Sequence, residues 1–139
     1  MTQSTANEEE ITSFYIGTYT DGASKGIYKL ALKEDGSFTD TLLQLNQSQT
    51  GGAHPCFVVT NDQDYVLVAN YTGGNVGLLK LKEDGSLSEL LDVQQHKGKG
   101  TTDRQEGPHA HSAWFIADGS GIISVDLGTN QLWFSSINT

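Results

Sequence analysis

The sequence predicts an all-β fold assembled from a repeated four-stranded antiparallel unit, and three observations carry that prediction. Short runs rich in Val, Ile, Leu, Phe and Tyr alternate with Gly, Asn and Asp clusters, and the 16 glycines fall almost entirely between those runs. No stretch keeps up the ~3.6-residue apolar period of a helix. The chain also repeats itself. Leu32-Lys33-Glu34-Asp35-Gly36-Ser37 returns 49 residues later as Leu81-Lys82-Glu83-Asp84-Gly85-Ser86. Around it, residues 14–20 resemble residues 66–72 at an offset of 52, and a third copy opens at Ile122-Ile123-Ser124-Val125-Asp126-Leu127-Gly128. A period near 50 residues with four short strands per unit is the signature of a β-propeller blade, not of a helical solenoid.

Each element can be placed within that unit, with strands named a to d from the inside outward. The central unit reads a at residues 56–60, b at 65–70, c at 76–82 and d at 87–94. Its turns are Asn61-Asp62-Gln63-Asp64, Thr72-Gly73-Gly74-Asn75 and Glu83-Asp84-Gly85-Ser86. Each carries the Asn, Asp or Gly that a tight hairpin needs where φ is positive. The preceding unit supplies b at 14–18, c at 26–33 and d at 38–45; the following one supplies a at 112–116, b at 122–126 and c at 131–137. The order bcd, abcd, abc begins and ends inside a blade. The expectation is therefore an incomplete propeller domain over residues 14–139, about two and a half blades from the N-terminal part of a longer protein, after a disordered acidic segment at 1–13. Both outer edges would be open to pairing. The competing reading is a complete small β-sandwich of ten strands.

Composition narrows the functional classes. Apolar residues make up 36%, and with glycine roughly 48%, inside the usual globular band. Eight Lys and Arg stand against 17 Asp and Glu, a formal charge of −9. Binding of nucleic acid through its backbone needs a basic stripe, and this chain has none. No apolar run reaches the ~20 residues of a membrane span, and residues 1–10 are too polar for a secretory signal. The expectation is a soluble, cytoplasmic protein. The single cysteine, Cys56, excludes an internal disulfide and reads as a small buried hydrophobe in an inner strand. Trp114 and Phe115 read as core.

Strand parity separates the polar residues. In a meander, the a–b and c–d turns share one face, which collects Glu34, Asp35, Asp62, Asp64, Glu83, Asp84 and Asp118. The b–c turns and d–a loops share the other. That face collects all four histidines, His54, His96, His109 and His111, with the one arginine, Arg104, and with Lys97, Lys99 and Glu106. The longest loop runs from residue 95 to 110, and long loops on a rigid scaffold are where sites usually sit. His109 and His111 are two apart at the entry to an inner strand, so both can face one cavity. Such a pair with an acid could bind zinc, or set a general base beside an electrophilic group. The blander alternative is a histidine that locks the loop to backbone. Glu106 could orient an imidazole or pair with Arg104. Asn70 and Asp126 end equivalent b strands, and Tyr19 and Tyr71 follow related ones; such repetition favours a structural role, such as capping turn amides.

Taken together, Gln105-Glu106-Gly107-Pro108-His109-Ala110-His111-Ser112, Val68-Ala69-Asn70-Tyr71-Thr72-Gly73-Gly74-Asn75-Val76, Asp126-Leu127-Gly128-Thr129-Asn130 and Tyr15-Ile16-Gly17-Thr18-Tyr19-Thr20 resemble the bacterial lactonase family of seven-bladed β-propellers. That family is typified by propeller-type 6-phosphogluconolactonase and is similar to fungal carboxymuconate cyclase. The resemblance runs from Phe14 to the end. It implies a hydrolase that opens the ring ester of 6-phosphogluconolactone in the pentose phosphate pathway without a metal or cofactor. Muconolactone-type cyclisation and a non-catalytic binding module remain the alternatives. It implies a catalytic group of His111, His109, Glu106 and Arg104; His54, Asn70, Tyr71, Lys97, Lys99 and Asp126 are the candidate contacts for a small anionic lactone. It also implies about seven blades, so the remaining blades are missing from this chain and the stretch by itself should be inactive.

Overall fold

A computed structural model describes residues 12–32 and 43–137. These residues form ten strands: β1 (Thr12–Gly17), β2 (Gly26–Leu32), β3 (Leu43–Gln49), β4 (Pro55–Thr60), β5 (Tyr65–Asn70), β6 (Asn75–Lys80), β7 (Asp92–Gln95), β8 (Ala110–Phe115), β9 (Gly121–Asp126) and β10 (Gln131–Ser136). They assemble into three antiparallel sheets in chain order, β1-β2-β3, β4-β5-β6-β7 and β8-β9-β10. This is the bcd, abcd, abc meander of a partial propeller. Strand β1 starts at Thr12, two residues inside the segment expected to lack structure; the rest of that segment, with Glu34 and Asp35, lies outside the described residues.

The hydrophobic pattern explains the stacking. Strand β5 is buried along almost its whole length. Alternate residues of a strand face opposite sides. Val66 and Val68 pack with Ile27, Leu79 and Leu87 between the first and second sheets. Leu67 and Ala69 pack with Val76, Ala110, Ala113 and Ile122 between the second and third. A strand sandwiched between two neighbouring sheets needs a continuous apolar run, and Val66-Leu67-Val68-Ala69 supplies it.

Two outer strands differ from expectation. The first lies at Leu43–Gln49 where 38–45 was expected, and residues 33–42 are outside the described set. Its polar side chains hold it in place: Asn46 Oδ1 accepts the Leu87 amide at 2.7 Å, and Ser48 Oγ donates to the Ser88 carbonyl at 2.7 Å. Apolar periodicity could not reveal a strand fastened through amides and hydroxyls. The second is reduced to Asp92–Gln95, because Leu87 turns into the core and the Ser88 hydroxyl takes up the Lys80 amide at 2.9 Å.

Two residues expected in the core are at the surface. Trp114 is half exposed, because it points away from the face of β8 on which Ala113 is buried. Cys56 is exposed on a β-bulge at the start of β4, where the pairing with β5 slips between Pro55 and Phe57. Its thiol lies 3.5 to 3.6 Å from the carbonyls of Ala69, Ala110 and His111, and the loss of water there pushes its pKa up.

Candidate active site

Among the described residues, the turns of the two rims can be compared with the partition that strand parity predicts. On one rim the turns of the second and third sheets lie side by side, with Asn61, Asp62 and Gln63 facing Ala117, Asp118 and Gly119 across a shallow groove. On the other rim three of the four histidines meet around the β5–β6 turn, at Tyr71 and Thr72. The His109 ring stacks on Tyr71 with centroids 4.5 Å apart and planes 8° from parallel. His111 meets the same ring edge-on at 6.0 Å. His54 Nδ1 lies 2.6 Å from the Thr72 hydroxyl.

The backbone explains this convergence. A β-bulge interrupts the β8–β9 pairing between Ala110 and Ser112, and the extra residue is His111. A bulge re-aims a side chain and leaves its residue outside the ladder. Simple alternation would have set His109 and His111 side by side; instead they approach Tyr71 from its face and its edge. Cys56 occupies the same bulge one sheet earlier, so His54-Pro55-Cys56 and His109-Ala110-His111 are copies of one feature. Tyr19 tilts over His54 at 4.7 Å just as Tyr71 covers His109. The spacing His-x-Cys and His-x-His, 55 residues apart, was the signal in the sequence for this repeat.

His109 is the most constrained of the three. Its Nδ1 donates to the Tyr71 carbonyl at 3.2 Å, which turns Nε2 toward Glu106 Oε1 at 3.4 Å. Glu106 therefore faces the imidazole and is not paired with Arg104. Its carboxyl is held below the ordinary glutamate range by its own backbone amide first and by His109 second. His54 has the other carboxylate: its Nε2 sits 2.8 Å from Asp21 Oδ1. His54 also adopts φ of 55°, a backbone region that a non-glycine residue enters at a cost. Neither Asp21 nor Thr72 stood out in the sequence, because an isolated Asp or Thr in a turn carries no pattern.

Lys97, Lys99 and Arg104 are exposed along the loop that leads to His109, with Arg104 inside a single 3-10 turn at Asp103–Gln105. Asn70 and Asp126 are placed differently from the substrate contacts they were expected to be. Both are buried: Asn70 Nδ2 donates to the Thr50 carbonyl at 3.0 Å and to Asn75 Oδ1 at 2.8 Å while its Oδ1 is left without a partner, and Asp126 caps the amides of His109 and Thr129. The turn-capping alternative describes Asp126. His96 is also withdrawn from the rim. It is buried, with Nδ1 2.6 Å from Asp126 Oδ2. Among the described residues, no three His, Cys, Asp or Glu side chains converge as a metal-ligand set.

The arrangement offers an exposed imidazole at His111, a second imidazole bracketed by a carbonyl and a carboxylate at His109, and three exposed cations, Lys97, Lys99 and Arg104, on the loop that leads to His109. That set suits proton transfer at a polar anionic substrate. Comparison with known proteins agrees in kind. The family model described as lactonase, 7-bladed beta-propeller, matches residues 38–139. The 6-phosphogluconolactonase of Bacillus subtilis is 32% identical over 165 aligned positions, which cover 86% of this chain and 47% of that protein. A crystal structure from Bacteroides fragilis, of a protein put forward as a 6-phosphogluconolactonase, superposes with a TM-score of 0.65 at 28% identity, covering 98% of this chain and 51% of that one. The periplasmic gluconolactonase PpgL of Pseudomonas aeruginosa shares the fold with a TM-score of 0.63 at 24% identity, over 91% of this chain and 50% of that one. The chain thus spans about half the length of the relatives it matches. It belongs to the seven-bladed β-propeller lactonase family.

Proposed function

We propose that this chain carries part of the active site of a lactone hydrolase whose substrate is an anionic sugar lactone, 6-phosphogluconolactone being the first choice. The carrying observation is the meeting of His54, His109 and His111 at Tyr71 and Thr72, with Glu106 behind His109. In this reading His111, the exposed imidazole, takes a proton from water. The resulting hydroxide attacks the lactone carbonyl carbon, and the negative charge collects on the carbonyl oxygen. The cationic side chains of the loop at residues 97–104 face that charge, while Tyr71 and Glu106 hold the His109 imidazole beside His111. Collapse breaks the bond to the ring oxygen, which takes the proton back from His111, so one water is consumed and the open acid is released. Lys97, Lys99 and Arg104 receive the phosphate. The overall charge of −9 opposes an anionic substrate, but screening confines that to about a Debye length, ~8 Å at physiological salt, and the three cations stand on the loop that leads to His109.

The relatives' names support lactone chemistry, and the choice of the phosphorylated sugar and of the cytoplasm as compartment is ours. The face of the third sheet turned away from β4–β7 is open here, so we expect the 139-residue chain alone to turn over the lactone poorly. The test is a chimera in which residues 12–137 replace the matching half of the Bacillus subtilis relative. His111→Ala in that chimera should lower 6-phosphogluconolactone turnover by on the order of 10²-fold, the usual worth of a general base. Full turnover by a folded His111→Ala chimera would remove His111 from the reaction.

A further inference from the structure

We infer that Asp126 and His96 form a clamp that sets the loop at residues 97–108 and, through it, the position of His109. Both ends of the loop are tied to one buried carboxylate. At its start, His96 Nδ1 donates to Asp126 Oδ2 at 2.6 Å. At its end, the His109 amide donates to Asp126 Oδ1 at 3.0 Å, and the Thr129 amide shares that oxygen at 2.8 Å. Asp126 and His96 are 1% and 3% exposed, so water cannot replace either partner. A buried carboxylate left short of donors is costly. The carboxylate therefore holds both ends of the loop in place, and it keeps the His109 and Thr129 amides as donors if the His96 tether is lost.

The surroundings fix His96 in that role. Its backbone amide donates to the Gly74 carbonyl at 3.0 Å, which anchors it to the second sheet. Its ring lies flat on Trp133 of the third sheet, centroids 4.5 Å apart and planes 3° from parallel. Its Nε2 accepts from Ser124 Oγ at 3.0 Å. The set Ser124, His96, Asp126 has the composition of a hydrolytic triad, yet Ser124 is 1% exposed, and no substrate reaches its hydroxyl. The group holds position and does no chemistry. Its consequence lies at the rim. With the His109 backbone fixed by Asp126 and its ring stacked on Tyr71, Nε2 is delivered to Glu106, and Lys97, Lys99 and Arg104 hang from a loop of fixed ends. His96 and Asp126 are positioning residues.

The test uses the whole 139-residue chain as wild type, His96→Ala and His96→Asn. Asparagine can place an amide N–H where the imidazole Nδ1 donates, so it restores the bond to Asp126 without the ring. Native-state trypsin cleavage after Lys97, Lys99 and Arg104 reads loop release, and cleavage after Lys80 in β6 reads global opening. Loss of a charge-assisted buried bond should speed loop cleavage by about tenfold or more in His96→Ala while the Lys80 site keeps its wild-type rate. His96→Asn should return loop cleavage most of the way to wild type. The His109 imidazole resonances should shift in His96→Ala and return in His96→Asn. Wild-type loop cleavage in His96→Ala, loop and Lys80 cleavage rising in step, or His96→Asn behaving as His96→Ala in both readouts would each overturn the clamp. Neither readout uses lactone turnover, so failure of the clamp and failure of the lactonase reading are separate results.

Discussion

At the scale of single residues, the rim is built by close approach more than by charge. The turn after β9 runs so near the loop before His109 that a Cβ on Gly128 would lie 1.9 Å from the Gly107 carbonyl oxygen and 2.8 Å from the His109 amide. Both obstacles are backbone and cannot swing aside. Gly128→Ala should therefore cost about 1–3 kcal/mol, the usual range for overpacking, measured by urea unfolding. Its mark would be a displaced His109, read from loss of the Tyr71 ring-current shift on the imidazole. An unmoved His109 with unchanged stability would show that the two backbones can part freely. Much of this was legible in advance as residue types: His54, His109, His111, Glu106 and Tyr71 meet on the expected rim, while His96 is drawn inside. Their division of labour was not. Whether a histidine is exposed like His111 or sealed like His96 depends on contacts across sheets, and a sequence displays no such contact.

At the scale of elements, burial follows position in the stack. Leu67, on β5, is enclosed between the second and third sheets, whereas Leu132, on β10, is 58% exposed. Leu67→Ala should cost about 2–5 kcal/mol, a core truncation, and Leu132→Ala should stay within about 0.5 kcal/mol. Equal costs in denaturant unfolding would mean that the third sheet is covered in solution. The same contrast explains which strands periodicity found. The inner strands β4, β5, β6, β8 and β9 are apolar and were placed to within two residues. The outer β3 and β7 are polar and are held by Asn46, Ser48 and Ser88, so their bounds slipped. Trp114 was misassigned for a related reason. Its apolar character marks the strand but not which of two faces has a neighbour.

At the scale of the whole chain, acidity bears on stability through one buried carboxylate. The overall meander order was readable from the repeat, since alternation of strand direction needs no tertiary knowledge. The dependence of the inter-sheet junction on Asp126 was not, because in sequence it is one of 17 acidic residues. Burial on its own would raise the Asp126 carboxyl, but the His109 and Thr129 amides and the His96 imidazole together outweigh it and hold the group below the ordinary aspartate range. A carboxyl depressed in the folded state is more protonated in the unfolded chain near pH ~4, so folding gains from its ionisation above that value. The gain is complete at neutral pH and is lost as pH falls through ~4 toward the folded-state value. Asp126→Asn keeps the shape and removes the charge. Wild type should unfold at a higher temperature than Asp126→Asn at pH 7, and the two melting curves should approach one another as the pH is lowered past ~4, where the unfolded chain takes up the proton while the folded carboxyl still holds its charge. A gap that stays constant from pH 7 to pH 3 would place the contribution of Asp126 in its shape and hydrogen-bond count, with its charge contributing nothing to the joint between the second and third sheets.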